Sequence, residues 1–165
     1  MEANVAVLSA SSNLTWRDRI AHWKARWGMG RMRMSVTPGL YQLGAPDRQA
    51  PVFVTANYRL SFDALRTNLP GLDAWILVLD TKGVNVWCAA GKGTFGTEEL
   101  VRRIRQTELA AHVDGRQLIL PQLGAPGVAA HLVEPGRHAH VHTAHAPAGL
   151  PVGNSIAPGQ SPGRG

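Results

Sequence analysis

The chain has a single cysteine, Cys88, among its 165 residues. One cysteine excludes an internal disulfide, and also a four-cysteine iron–sulfur cluster or zinc site built from this chain alone. Long apolar runs are missing too: no stretch approaches the roughly 20 residues that span a bilayer. The opening "MEANVAVLSASSNL" carries neither the basic start nor the continuous apolar run of a secretory leader. As written, the chain is expected to be soluble and cytoplasmic. A phosphate-binding loop is absent as well. The Gly91-Lys92 pair invites that label, but the leading glycine of G-x-x-x-x-G-K-[S/T] would fall at Val86 and the magnesium-holding hydroxyl at Gly93. Both anchors fail.

Acidic residues are scarce: 11 Asp and Glu face 17 Lys and Arg, for a formal charge of +6, which suggests an anionic partner. The excess concentrates in "TWRDRIAHWKARWGMGRMRM" (15–34), where six basic residues accompany one acid, Asp18. Charge of this kind commonly solvates a helix face, and no nucleic-acid partner is inferred. Trp16, Ile20, Trp23 and Trp27 fall at steps of four, three and four, the spacing of one helical face. Thr15 serves as N-cap, and Gly28 with Gly30 marks the end. The expectation is a helix whose tryptophans dock on the domain. The alternative is an amphipathic helix on a membrane surface, an interface that Trp and Arg suit.

The length suits one domain plus tails. From Pro51 the punctuation becomes regular. "PVFV" (51–54) reads as a strand, "SFDALRTNL" (61–69) as a helix, and "AWILVLD" (74–80) as a central parallel strand covered on both faces. "TEELVRRIRQTELA" (97–110) reads as a helix capped by Thr97, with Glu98 and Glu99 in its first turn. "RQLILPQLGAPG" (116–127) is a strand running into a loop. Such alternation predicts an α/β domain with a mostly parallel sheet. Ligands bind such sheets beyond the carboxyl ends of the strands. The loops "TANY", "DTKGVNVWCAAGKGT" and "PQLGAPG" are expected there. After His131 the chain has no apolar period, is rich in Pro and Gly, and holds five of the seven histidines when His131 is included. That composition predicts disorder, and "HAHVHTAH" (138–145) would take up a transition metal only adventitiously.

A free cysteine is most often a small buried hydrophobe. Cys88, however, follows the Lys82-Gly83 break and lies between Trp87 and Ala89-Ala90-Gly91, in a loop at the ligand end of the sheet. Small neighbours allow something flat and bulky to approach the backbone, and a nearby lysine favours the thiolate. A cysteine-protease reading lacks a histidine partner, because His22 and His112 fall on predicted helices.

"NVWCAAGK" (85–92) resembles the cap-helix signature of the corrinoid protein family of microbial mercury methylation. The likeness extends through "RMRMSVTPGLYQLG", "PVFVTANYRLSFDALR", "GLDAWILVLDTKGVNVWCAAGKGTFGTEEL" and "LILPQLGAPGVAAH", roughly residues 14 to 131. More distantly, the chain is similar to the large subunit of the corrinoid iron–sulfur protein of acetyl-CoA synthesis. That cousin carries a threonine at the cysteine position and a four-cysteine cluster domain.

The resemblance implies a Rossmann-like α/β domain, with a mostly parallel sheet, flanking helices and a cap helix carrying Cys88. It implies cobalamin as cofactor, with Cys88 as lower axial cobalt ligand and catalytic residue. Contacts to the cofactor are expected from Asn85, Val86, Trp87, Cys88, Ala89, Ala90, Gly91 and Lys92, and from Thr55, Asn57, Thr94, Gln122 and Gly124. The implied function is a corrinoid-dependent methyltransferase of anaerobic metabolism, passing methyl from a methyl-cobalt(III) corrinoid to Hg(II) to give methylmercury. A thiolate opposite the methyl group would push electron density toward it and favour departure as a carbanion equivalent. The Asp-x-His-x-x-Gly loop of enzymes with a histidine lower ligand is absent, in keeping with that assignment. Implied partners are a methylated pterin as donor and a ferredoxin-like protein with two four-iron clusters as reductant. The alternative is a methyl carrier of the acetyl-CoA pathway type, and a third class is a non-catalytic basic binding module.

Family members continue past "GAPGVAAH" with another strand and helix, then a membrane domain of several spans that anchors them with this domain on the cytoplasmic side. The chain is accordingly divided into a tail with a basic helix (1–36), a corrinoid-binding domain (37–131) and a disordered tail (132–165). Membrane contact is left to the missing domain or, weakly, to the basic helix. The sheet is expected to be one strand short, and the ending reads as a shifted frame or a truncated, inactive paralogue.

Overall fold

The computed structural model describes residues 6–27, 34–115, 117–128 and 140–144. The strands are β1 (Leu8–Ala10), β2 (Gly39–Leu43), β3 (Val52–Ala56), β4 (Ala74–Leu79), β5 (Gln117–Pro121) and β6 (His140–Ala144). The helices are α1 (Trp16–Arg26), α2 (Arg59–Thr67), α3 (Val86–Gly91), α4 (Thr97–Gln106) and α5 (Leu109–His112), with a 3-10 turn at Ala125–Gly127. The strands form one sheet in the order β1-β2-β4-β3-β5-β6. All pairs are parallel except β2 with β4. The chain is thus an α/β protein with a mostly parallel sheet.

β4 reads as continuously apolar because both of its faces are covered, and all six of its residues are buried. Trp75, Leu77 and Leu79 enter one core with Phe95, Leu100 and Leu109 from the α3–α5 side. Ile76 and Val78 enter the other, with Phe62 of α2 and Tyr41 of β2. Each such side chain contributes about 1.5–3 kcal/mol by leaving water.

β3 and β4 are joined through α2, and the path from β4 then crosses to the far side of β3 to reach β5. Right-handed crossovers that reverse direction place their helices on opposite faces, as the two cores require. The reversal opens a crevice at the carboxyl ends of β3 and β5, the switch point where doubly wound sheets take ligands.

Several expectations need correction. The tryptophans of α1 do not cover the domain: Trp16, Trp23 and Trp27 are exposed, and Asp18 is the buried residue. Thr15 caps α1 as expected, its hydroxyl accepting from the Asp18 amide (3.3 Å) while Asp18 accepts from the Thr15 amide (2.9 Å). Gly28 and Gly30 lie outside the described residues. The single helix 97–110 is broken at Glu108, which takes a left-handed φ of 46°, and Gly96 rather than Thr97 is its N-cap. Residues 140–144, assigned by composition to a disordered tail, form β6 in parallel register with β5. Alternating Val141 and Thr143 suit a strand, and pairing with β5 supplies the hydrogen-bond partners that composition does not reveal. The rest of that tail lies outside the described residues. Among the described residues no helix is long and apolar enough to cross a membrane.

Candidate functional site

The site is built on the carboxyl ends of β3, β4 and β5. β3 runs out at Asn57, whose Oδ1 accepts from the Thr81 amide (3.1 Å) and the Gly83 amide (2.9 Å) of the loop after β4. Two amide donors fix which side-chain atom is the oxygen. The Thr81 hydroxyl, with one proton, lies in donating range of both Asn57 Oδ1 (2.9 Å) and the Val84 carbonyl (2.6 Å). Lys82 and Gly83 both take left-handed backbone, with φ of 59° and 72°. The chain thereby reverses sharply and delivers residue 85 above the sheet.

Asn85 is the N-cap of α3, and its side-chain oxygen accepts from the Cys88 amide at 2.9 Å. What the sequence alone reads as a loop around Cys88 is therefore a short helix, as the resemblance implies. Val86 and Ala89, three residues apart, bury its inner side. Trp87 is 69% exposed on the outer side, and Cys88 is half-buried between them. A Cβ added at Gly91 or Gly93 would meet nothing within 4 Å, so the end of the cap helix borders open space.

The loop after β5 closes on α3 from the side. A Cβ on Gly127 would lie 2.3 Å from the Phe95 carbonyl oxygen and 3.5 Å from Ala90 Cα. One on Gly124 would lie 2.5 Å from the fully buried Phe95 ring. Only glycine permits those approaches. From below, Glu99 of α4 accepts from the Asp80 amide (2.8 Å), Arg103 Nη2 (2.8 Å) and Arg102 Nε (2.7 Å). Burial would raise this carboxyl, but the amide and the two guanidiniums overcome it and hold it below the usual range.

The nominated residues divide by placement. Asn85, Val86, Trp87, Cys88, Ala89, Ala90, Gly91 and Lys92 come together on α3 and its C-cap, with Lys92 exposed. Thr94 follows, its hydroxyl 3.4 Å from the Ala89 carbonyl. Gln122 is exposed at the end of β5, beside the exposed Leu123. Thr55, Asn57 and Gly124 are buried. Asn57 holds the loop and Gly124 packs on Phe95, while Thr55 lies within β3 below the edge. Thr81 and Phe95 are not singled out by sequence reasoning, Glu99 is read there only as a first-turn acid, and Gly127 only as part of the "PQLGAPG" loop. All four shape the site through contacts distant in the chain. Among the described residues no group of three or more His, Cys, Asp or Glu is placed to hold a metal ion. Cys88 is thus a soft donor outside any three-ligand set among the described residues, beside the exposed Trp87 and small residues whose end borders open space.

Residues 12–143 match the family model described as CO dehydrogenase/acetyl-CoA synthase delta subunit (CdhD). Curated relatives are named acetyl-CoA decarbonylase/synthase complex subunit gamma. The protein of Methanopyrus kandleri is 36% identical over 93 residues, 55% of this chain and 20% of that protein. The one from Methanocaldococcus jannaschii is 35% identical over 97 residues, 58% and 20% of the two chains. That of Archaeoglobus fulgidus is 32% identical over 97 residues, 58% and 21%. The match spans about a fifth of the length of these relatives.

Proposed function

Since the chain belongs to the CO dehydrogenase/acetyl-CoA synthase delta subunit family, we propose that it is a corrinoid-binding domain serving methyl transfer, of the kind its relatives' place in an acetyl-CoA decarbonylase/synthase complex suggests. The observation that carries this reading is the donor set. Among the described residues Cys88 belongs to no set of three protein ligands, so a metal held there must bring most of its ligands with it. A macrocycle does so, and the open, small-residue surface beside Cys88 suits a flat group. The residues present fit a corrinoid on both counts.

When bound, the corrinoid supplies a cobalt that accepts and gives up a methyl group. Asn85 fixes the Cys88 backbone through its cap, and Val86 with Ala89 pins the helix to the core, so the sulfur is presented without mobility of its support. Asn57 and Thr81 hold the loop from which the helix starts. Trp87, Ala90, Gly91, Lys92, Gln122 and Leu123 line the surface that would face the ring or a docking protein. A methylated pterin as donor, a ferredoxin-like protein with two four-iron clusters as reductant, and other subunits of a complex belong to this proposal.

A second reading is favoured by one residue. The resemblance of "NVWCAAGK" to the mercury-methylation signature rests on Cys88, where the acetyl-CoA cousin has threonine. A thiolate is the stronger electron donor, and under this reading it makes Hg(II) the methyl acceptor.

The test is reconstitution of the full chain with cobalamin, followed by gel filtration and electronic and X-ray absorption spectra. Retention of cobalamin with a sulfur ligand is expected, and Cys88→Ala should keep the corrinoid while losing the sulfur signal. No retention would overturn the assignment. Methylmercury formed from the methyl-loaded chain and Hg(II), and lost in Cys88→Thr, selects the second reading over the first.

A further inference from the structure

α1 turns its apolar stripe away from the protein. Trp16, Ile20, Trp23 and Trp27 are 66%, 43%, 60% and 68% exposed. At about 100° per residue they fall within an arc of about 60°. The Trp23 and Trp27 rings lie 5.7 Å apart, and the Arg17 guanidinium sits 5.4 Å from the Trp16 ring centroid. Arg17 and Arg19 are exposed and flank the stripe on its two sides. The one acid of the helix, Asp18, lies diametrically opposite and is buried, bonded to Arg59 and to Arg66 (2.9 Å). Arg66 also holds Asp63 (2.7 Å) and the Asn13 carbonyl (3.0 Å). The outward side of α1 is thus tryptophan bordered by cations, with every negative charge of the helix spent inward.

We propose that this helix lies on an anionic lipid surface. Indole rings favour the headgroup boundary, being apolar in body and polar at one edge, and flanking arginines meet lipid phosphates. Charge complementarity singles out this occupant. A second copy would bring Arg17 and Arg19 against their own equivalents, which repel. The stripe is also convex and continuous, whereas protein hot spots sit in pockets ringed by neutral contacts. The buried Asp18–Arg66 contact fixes which side faces outward, so the orientation is built in before any surface is met.

The experiment is co-sedimentation of the full chain with vesicles of phosphatidylcholine alone or with about 30% phosphatidylglycerol. Binding to the anionic vesicles is expected, several-fold stronger than to the neutral ones and weakened at about 0.5 M salt, where screening shortens the reach of charge. The combined change Trp16→Ser, Trp23→Ser, Trp27→Ser should lower the bound fraction about tenfold or more at an unchanged melting temperature, because these side chains are exposed. Arg17→Gln with Arg19→Gln should erase the preference for anionic lipid. Absence of binding, or binding that survives the serine variant, would overturn the proposal. So would a concentration-dependent dimer in ultracentrifugation that the serine variant abolishes, or capture of the stripe by an acidic protein with no lipid binding.

Discussion

α1 and α3 both show tryptophan to solvent, yet they are held by opposite means. α1 is fastened through charge: Asp18 is bonded to Arg59 and Arg66, and Asp63 lies beside both guanidiniums. α3 is fastened chiefly without charge, by amide and hydroxyl hydrogen bonds converging on Asn57, an asparagine cap and glycine packing on Phe95. Charge is confined to the start of its loop, where Glu99 takes the Asp80 amide and Lys82 pairs with Asp80. A buried ion cluster tolerates little change in protonation, whereas a neutral network is indifferent to pH and weakly sensitive to salt. The helix presenting Cys88 is therefore less sensitive to acid and salt than the basic helix.

The largest expected effect tests the neutral side. Asn57→Ala orphans the Gly83 amide and takes one of two acceptors from the Thr81 amide, which keeps the Leu79 carbonyl (3.1 Å). It should cost about 2–4 kcal/mol, about 1–3 for the unsatisfied amide and about 1 for the lost bond. Urea unfolding should show this loss equally at pH 7 and pH 3. A loss that shrinks in acid would break the comparison.

Next comes the charged side. Burial would raise the Asp18 carboxyl, but the Thr15 amide, Arg66 and Arg59 overcome it and hold the group well below the usual range. A folded-state pKa below the unfolded one means stability that is whole above about pH 4–5 and is lost as pH falls through the unfolded value toward the folded one. Asp18→Asn should cost about 1.5–3 kcal/mol at pH 7, and the deficit should narrow toward pH 2. Glu99, also held low, keeps part of the acid slope in that variant. Urea midpoints of both proteins across pH 2–7 check this.

The smallest effect sharpens the contrast within α3. Asn85→Ala removes one cap and should cost about 1 kcal/mol. Amide hydrogen exchange should speed at Cys88 and its neighbours while α1 is unaffected. Unchanged exchange at Cys88 would mean that packing by Val86 and Ala89 alone holds the helix.

Which parts were legible follows from how local their causes are. β4, α2 and α4 are written in consecutive apolar periods, and the signature around Cys88 is a contiguous string. The face of α1 was legible, but its direction was not. Spacing identifies a stripe, whereas the burial of Asp18 depends on Arg59 and Arg66, 41 and 48 residues onward. β1 and β2 were missed because a three-residue strand and the five-residue "GLYQL" carry too little period to register. Asn57 was nominated as a contact for the cofactor. Its role in holding the loop emerges only when β3 and β4 lie side by side.

That side-by-side pairing also sets an order of assembly. Asn57 and its donors are separated by 24 and 26 residues and come together as soon as β3, α2 and β4 form a unit. The glycines that clamp the other flank of α3 arrive only with the segment after β5. During synthesis, where earlier segments fold first, the cap helix is hinged on one side before it is latched on the other. A nascent chain stalled between α4 and β5 would carry Cys88 on a one-sided flap, open to any thiol-seeking ion until the last loop closes.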